Sequence, residues 1–383
     1  MLVLVLASMM MVLIDSLNIG PEKYPFIRRN NQRGSPDISN TFPEYSTRRK
    51  YFQTFLSILT FGPATLARAT NGDDEQPKKQ AETVIVPLNY IASLSAYVIY
   101  YSVGGDRFGA ILDTGSPFLT VPGYCSKNKY GCYSKEHSQP SGLSSTYEQF
   151  DNNEGEVEWR SAPFSFVNAT GSMMGPLAMT FGVLSDSLMG GSGGNYFGLV
   201  RDTNSWIRPS FLGQTNVQAF EIDLASPAKT LTLTSDSLLD NSDYIPLVKD
   251  LNRKYGDPTI HYTAKAQSFV ANNSTVAGGK FGKPIYVIFD SGVSGMVVSQ
   301  ELLDERYATA RANRERNLWG SVQISFRTKR GQTVKLTATK PLTTPLGSMP
   351  WPGFNAHLIV VGLAFLDGNK MTVDIDEQKI WIA

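Results

Sequence analysis

One local pattern occurs twice in the chain and could do chemistry. The first copy is Gly109-Ala110-Ile111-Leu112-Asp113-Thr114-Gly115-Ser116, followed by Pro117-Phe118-Leu119-Thr120-Val121. The second is Tyr286-Val287-Ile288-Phe289-Asp290-Ser291-Gly292-Val293, followed by Ser294-Gly295-Met296-Val297-Val298. In each, an apolar run delivers an aspartate, a small hydroxyl residue and a glycine, and a second apolar run leaves. A carboxylate ending a buried strand is costly unless it is hydrogen-bonded or used. Two such turns brought together set two carboxylates close enough that both cannot ionise easily, so the pair shares one proton over a mildly acidic range. The ionised member can then take a proton from water while the protonated member polarises a peptide carbonyl. That is general acid–base hydrolysis with neither a metal nor a covalent intermediate.

The composition fits chemistry of this kind. The 383 residues include only 3 His and 2 Cys, and the histidines (His137, His261, His357) are scattered, so neither a Cys-rich zinc site nor an HExxH pair can be assembled. There is no GxxxxGK[ST] loop for nucleotide phosphates. With 35 Lys+Arg against 34 Asp+Glu, the net charge of +1 leaves no basic field for nucleic acid. No cofactor, metal or nucleic-acid partner is expected. Apolar residues make up 42% and charged residues 18%, enough to bury a core.

The elements that must position the two aspartates read as strands. Short apolar or β-branched runs recur at Thr83–Leu88, Tyr97–Val103, Phe108–Leu112, Phe118–Val121, Leu177–Leu184, Ala219–Leu224, Thr230–Leu233, Tyr286–Phe289, Met296–Val298, Val322–Phe326, Val334–Leu336, Leu358–Val361, Met371–Ile375 and Lys379–Ile382. Gly, Asn, Asp and Pro clusters separate them. Helical pattern is scarce, and Gln300–Asn317 is its best candidate. The fold class expected is all-β, a sandwich or barrel architecture.

Over residues 84–383 the chain resembles the pepsin-like aspartic peptidases. Both Asp-[Thr/Ser]-Gly motifs are present, 177 residues apart. Val121-Pro122 ahead of Cys125 and Cys132, Ser144-Ser145-Thr146-Tyr147, Phe197-Gly198-Leu199, Val360-Val361-Gly362, Leu363-Ala364-Phe365-Leu366, and the closing Val373-Asp374-Ile375 and Lys379-Ile380-Trp381-Ile382-Ala383 all match family features. The resemblance implies a bilobal fold of two β-barrel-like lobes, 84–235 and 236–383, with the active-site cleft between them and one catalytic Asp in each. It implies a monomer that takes protein or peptide substrates in extended form. Asp113 and Asp290 would form the dyad, with Gly115 and Gly292 in the turns. Thr114 and Ser291 would cross-brace the turns, and Ser116 would bond the outer oxygen of Asp113. Simple turn-capping would satisfy the same hydroxyls.

Two departures from the family pattern bear on activity. Val293 stands where the second turn usually has a hydroxyl. On the flap, Gly171-Ser172-Met173 resembles the tip, yet counting back from it reaches Asn168, whereas counting forward from Tyr147 ends near Trp159. The expectation is an insertion of about ten residues, with Trp159 either replacing the flap tyrosine or serving as ordinary hairpin packing. The resemblance therefore implies an aspartic endopeptidase, the alternative being a catalytically weak or inactive binding protein on the same fold.

The first 69 residues read as an address. Leu2–Ile14 is an apolar run too short for a membrane span, and residues 16–50 are polar and poor in acid. Ser46-Thr47-Arg48-Arg49-Lys50 resembles a twin-arginine signal, followed by a second apolar stretch and Ala67-Arg68-Ala69. Two readings lead: a multi-step presequence ending in the plastid thylakoid lumen, or a secretory signal followed by a pro-segment; a membrane anchor through 2–14 or 51–67 is a third, disfavoured by length. All three place the mature chain outside the cytosol. Residues 70–83 are then a linker or pro-segment remnant, including Lys78-Lys79. In such a compartment Cys125 and Cys132 are expected to form a disulfide, the alternative being two free thiols. Asn168, Asn272 and Asn273 begin glycosylation sequons.

Overall fold

The computed structural model describes residues 82–123, 130–150, 153–171, 178–184, 196–201, 209–239, 243–248, 261–278, 282–303, 317–346 and 355–383. The address segment and residues 70–81 lie outside them, as do Cys125 and Ser172. The chain is predominantly β, as the strand pattern predicts. Every run expected as a strand contains one, with ends shifted by a few residues at most. Among the described residues the α-helices are two single turns, Phe211–Gln214 and Leu363–Leu366. Of the helix expected at 300–317, Gln300–Leu302 is a 3-10 turn, and 304–316 fall outside the described residues.

The strands form three sheets. One runs Tyr196–Gly198, Asp106–Asp113, Ala96–Val103, Asn153–Phe166, Ala178–Leu184, Thr120–Pro122, and another Thr333–Thr339, Ser321–Arg327, Thr263–Ala271, Ile285–Phe289, His357–Val361, Met296–Ser299, Thr343–Leu346. The same arrangement recurs in both. The strand ending in Asp113 runs parallel to Tyr196–Gly198, and the strand leading to Asp290 runs parallel to His357–Val361. The outgoing strands, Thr120–Pro122 and Met296–Ser299, have their own parallel partners in Ala178–Leu184 and Thr343–Leu346. The duplicated sequence pattern is thus a duplicated structure.

The third sheet takes strands from both parts of the chain. Its order is Ile245–Pro246, Lys379–Ile382, Lys370–Asp374, Ala219–Asp223, Thr230–Thr234, Thr83–Pro87, Thr170–Gly171, antiparallel throughout. The 235/236 boundary read from sequence falls just after one of its strands, so the sheet crosses it. Residues 80–383 form one unit by their contacts. Alternation explains how this sheet is held: Val84 and Val86, Leu231 and Leu233, and Ile380 and Ile382 are all buried in one core. A continuous apolar core that includes Phe197, Phe220, Tyr262, Phe289 and Phe365 runs through both repeats.

Candidate active site

Each aspartate is delivered by the last residue of a buried strand or the position after it. Gly198 and Leu199 then fasten the first turn: the Gly198 N–H donates to Phe118 O at 2.6 Å and the Leu199 N–H to Asp113 O at 2.7 Å. In the second, the Asp290 N–H donates to Val361 O at 3.0 Å, and the Leu363 N–H to Val293 O at 2.7 Å. The Phe197-Gly198-Leu199 and Val360-Val361-Gly362 segments therefore act as backs to the two turns, leaving them little freedom to move.

The turns are tied to each other by their hydroxyl residues. Thr114 Oγ1 donates to Phe289 O at 2.9 Å and accepts the Ser291 N–H at 2.9 Å. Ser291 Oγ donates to Leu112 O at 2.7 Å and accepts the Thr114 N–H at 3.1 Å. All four groups are buried, so each bond replaces an otherwise costly unsatisfied donor or acceptor. Thr114 and Ser291 thus do more than cap their own turns.

This brace sets Asp113 and Asp290 side by side within hydrogen-bonding reach of each other. Both are buried, and the glycines explain how the approach is possible. A Cβ on Gly115 would stand 2.2 Å from Asp290 Oδ2, and one on Gly292 would stand 2.8 Å from Asp113 Oδ1. Each turn packs its bare backbone against the carboxylate of the other, which only glycine permits.

The surroundings of the two carboxyls differ. Asp113 Oδ1 accepts the Gly115 N–H at 2.8 Å, and its Oδ2 accepts the Ser116 hydroxyl at 2.5 Å. Asp290 Oδ1 accepts the Gly292 N–H at 2.9 Å, while Val293, at the position equivalent to Ser116, is apolar and 3% exposed. Burial raises the pKa of both groups above the usual carboxylate range. For Asp113 the Ser116 hydroxyl and the neighbouring N–H groups pull back against that rise. For Asp290 the charge of Asp113 and the bond to it add to burial, and its pKa stands well above normal. The asymmetry favours Asp113 ionised and Asp290 holding the shared proton, with titration a property of the pair.

Of the two roles expected for Trp159, the structure fits ordinary hairpin packing. Gly171 lies in the connection between the antiparallel strands Asn153–Phe166 and Ala178–Leu184, of which 172–177 are outside the described residues. Thr170–Gly171 is the edge of the third sheet, with Gly171 paired to Val84. Trp159 cannot serve as a free donor, since it is 2% exposed and its indole N–H donates to Thr146 Oγ1 at 3.1 Å. It packs with Phe118, Val157, Leu184 and Tyr196. The two counts disagreed because they start from different turns. Tyr147 belongs to a hairpin of Thr146–Phe150 with Asn153–Phe166, and Gly171 lies past the far end of that 14-residue strand. A usable signal was present in Asp151-Asn152-Asn153, a turn triplet between β-forming residues. Ser172 lies outside the described residues. Cys132 is disulfide-bonded, and the chain's only other cysteine, Cys125, also lies outside them.

Other residues joining the repeats were not singled out from sequence. Tyr262 Oη donates to Leu199 O at 2.5 Å, Ser294 Oγ donates to Ser95 O at 2.9 Å, and Tyr97 Oη donates to Asp367 at 2.7 Å. Among the described residues no cluster of His, Cys, Asp and Glu could hold a metal ion, and no helix is long and apolar enough to cross a membrane. No family model matches the chain, and no curated protein matches it.

Proposed function

We propose that the chain is an aspartic endopeptidase of the pepsin-like, bilobal type, hydrolysing peptide bonds of extended protein substrates with Asp113 and Asp290. The observation that carries this reading is the braced pair of buried carboxylates, each pressed on by the glycine of the opposite turn. Duplicated turn architecture and a sheet shared by both repeats support the bilobal reading.

In the mechanism, a water held between the carboxyls is the nucleophile. Asp113 accepts its proton as it attacks the scissile carbonyl carbon, and Asp290 gives its proton to the carbonyl oxygen. Collapse of the tetrahedral gem-diol breaks the C–N bond: the proton now on Asp113 passes to the leaving amine while Asp290 takes one back from a gem-diol hydroxyl, so the pair ends with one proton. Optimal activity at acidic pH fits a non-cytosolic lumen, in line with the two readings of the address segment.

Val293 favours a second reading, a binding protein with little catalysis, because it deprives Asp290 of a hydroxyl. Peptidase activity against a mixed peptide pool from pH 3 to 8 separates the two. Acid-range cleavage abolished by Asp113→Asn is the expected result. Folded, disulfide-bonded protein that cuts nothing would move the conclusion to the second reading.

A further inference from the structure

Away from the aspartates, a trough of about 750 Å³ lies where the third sheet meets the sheet of the second repeat. Lys265, Gln267, Arg327 and Lys329 line it together with apolar Ile245 and Pro246. Its parts are held in place by backbone bonds. The Lys329 N–H donates to Tyr244 O at 2.8 Å, the Val248 N–H donates to Thr263 O at 2.8 Å, and Leu247 bridges to Ala264. The three cations therefore project from a fixed frame rather than from a loose loop.

Three like charges gather here on exposed side chains. Lys265 and Arg327 flank the cross-strand pair Ala266–Phe326, and Lys329 follows two residues after Arg327. Among the described residues none of the three cations forms an ion pair. The adjoining carboxylate, Asp243, accepts the Tyr244 and Arg330 backbone N–H groups and faces the Arg330 charge instead. A group of like charges left without counter-ions beside a trough is where an anionic ligand is to be sought.

We propose that this trough docks an acidic, extended stretch of a protein partner, its carboxylates bound by the Arg327 fork and by the Lys265 and Lys329 ammonium groups. A peptide suits the lining better than other anions do. One inorganic anion would leave exposed Pro246 uncovered, whereas a peptide covers it and offers its backbone to the Gln267 amide. Nucleic acid is disfavoured because no aromatic side chain lines the trough to stack a base. The inference does not depend on the proposed peptidase activity.

The test uses the full chain carrying Asp290→Asn, so that the probe is not cut. A fluorescein-labelled octapeptide of alternating Glu and Ser is titrated by anisotropy, beside its Gln counterpart and with inorganic phosphate as competitor. The Glu peptide should bind at least about tenfold more tightly than the Gln peptide at low salt, and lose that advantage near 0.3 M salt. The double variant K265E/R327E should lose the binding. Lys265→Gln should weaken it while the thermal midpoint holds, since Lys265 is exposed and forms no ion pair whose loss could destabilise the fold. Equal binding of both peptides, indifference to the charge reversal, or displacement by phosphate at concentrations matching the peptide would each overturn the proposal.

Discussion

The dyad is asymmetric by one hydroxyl, and restoring it tests the protonation scheme directly. In the first turn Ser116 Oγ lies 2.5 Å from Asp113 Oδ2. In the second turn Val293 stands in the same place; its backbone N–H favours ionised Asp290, but its side chain offers methyl groups and no donor. Val293→Thr keeps the side-chain volume and supplies a donor. A hydrogen bond to a charged acceptor contributes about 1.5–3 kcal/mol, and about 1.4 kcal/mol corresponds to one pKa unit. The added hydroxyl should therefore lower the upper pKa of the pair by roughly 1–2 units. Catalysis needs one proton on the dyad, and that proton is lost as pH rises through the upper pKa. The alkaline limb of kcat/KM should accordingly move to lower pH by that amount, while the acid limb moves less. The assay is the pH profile of kcat/KM on a single peptide from pH 3 to 8, beside a thermal melt to establish folding. An alkaline limb that stays put or moves upward, in a folded variant, would refute the assignment of the shared proton to Asp290. Ser116→Ala is the mirror experiment. It removes a bond that favours ionised Asp113, so the acid limb should move to higher pH by a similar amount.

Gly115→Ala should abolish peptide cleavage while leaving a folded protein, because the new Cβ would stand 2.2 Å from Asp290 Oδ2 and must force the carboxyls apart; full activity in that variant would contradict the described approach. Asp290→Asn should raise the thermal midpoint at pH 7, because a carboxyl whose pKa is raised by folding destabilises the native state once pH exceeds its normal value. The gain should fade on moving to pH 4, and a midpoint lowered at pH 7 would speak against burial as the cause. His261 is buried, and that burial lowers its pKa from 6.5 to about 4. Its unfolded form binds a proton that the folded form refuses, so stability should fall as pH drops from 6.5 towards 4, by roughly 3 kcal/mol in all. Urea unfolding of His261→Gln against the parent over that range should show a shallower loss, and parallel curves would rule the histidine out.

How much of this was legible in the sequence depends on whether the signal was local. The strand–Asp–hydroxyl–Gly turns were readable because their chemistry is written in eight consecutive residues, and alternating apolar runs marked most of the strands. Thr263–Ala271 was missed, although it pairs with three other strands, because Ala, Lys, Gln and Ser dilute its apolar signal. Asn153–Phe166 was missed for a different reason. Its inward face is Gly155, Val157 and Trp159 at the hairpin end, then Arg160, Ala162 and Phe164 beyond, so the period-2 pattern slips by one residue midway. That slip lets one strand serve two clusters, the small one around Trp159 and the main core around Phe164. A reading that expects a constant phase breaks the strand there.

The contacts that make a single site from two repeats were the least legible part, because they join residues far apart in sequence through groups that every chain possesses. The Thr114 and Ser291 hydroxyls each accept the other's backbone N–H and donate to a carbonyl of the opposite repeat, and Tyr262, Ser294 and Tyr97 each reach across to the other repeat through one hydroxyl. The shared sheet fixes the repeats more coarsely, through strands whose ladder would tolerate other side chains. The two scales act on different quantities. Loss of ladder or core packing lowers stability, whereas a small shift between the turns changes the separation of the carboxyls and hence the pKa of the pair. Asp113 and Asp290 can therefore be detuned by a substitution that leaves the melting temperature untouched, and the pH profile is the measurement that would register it.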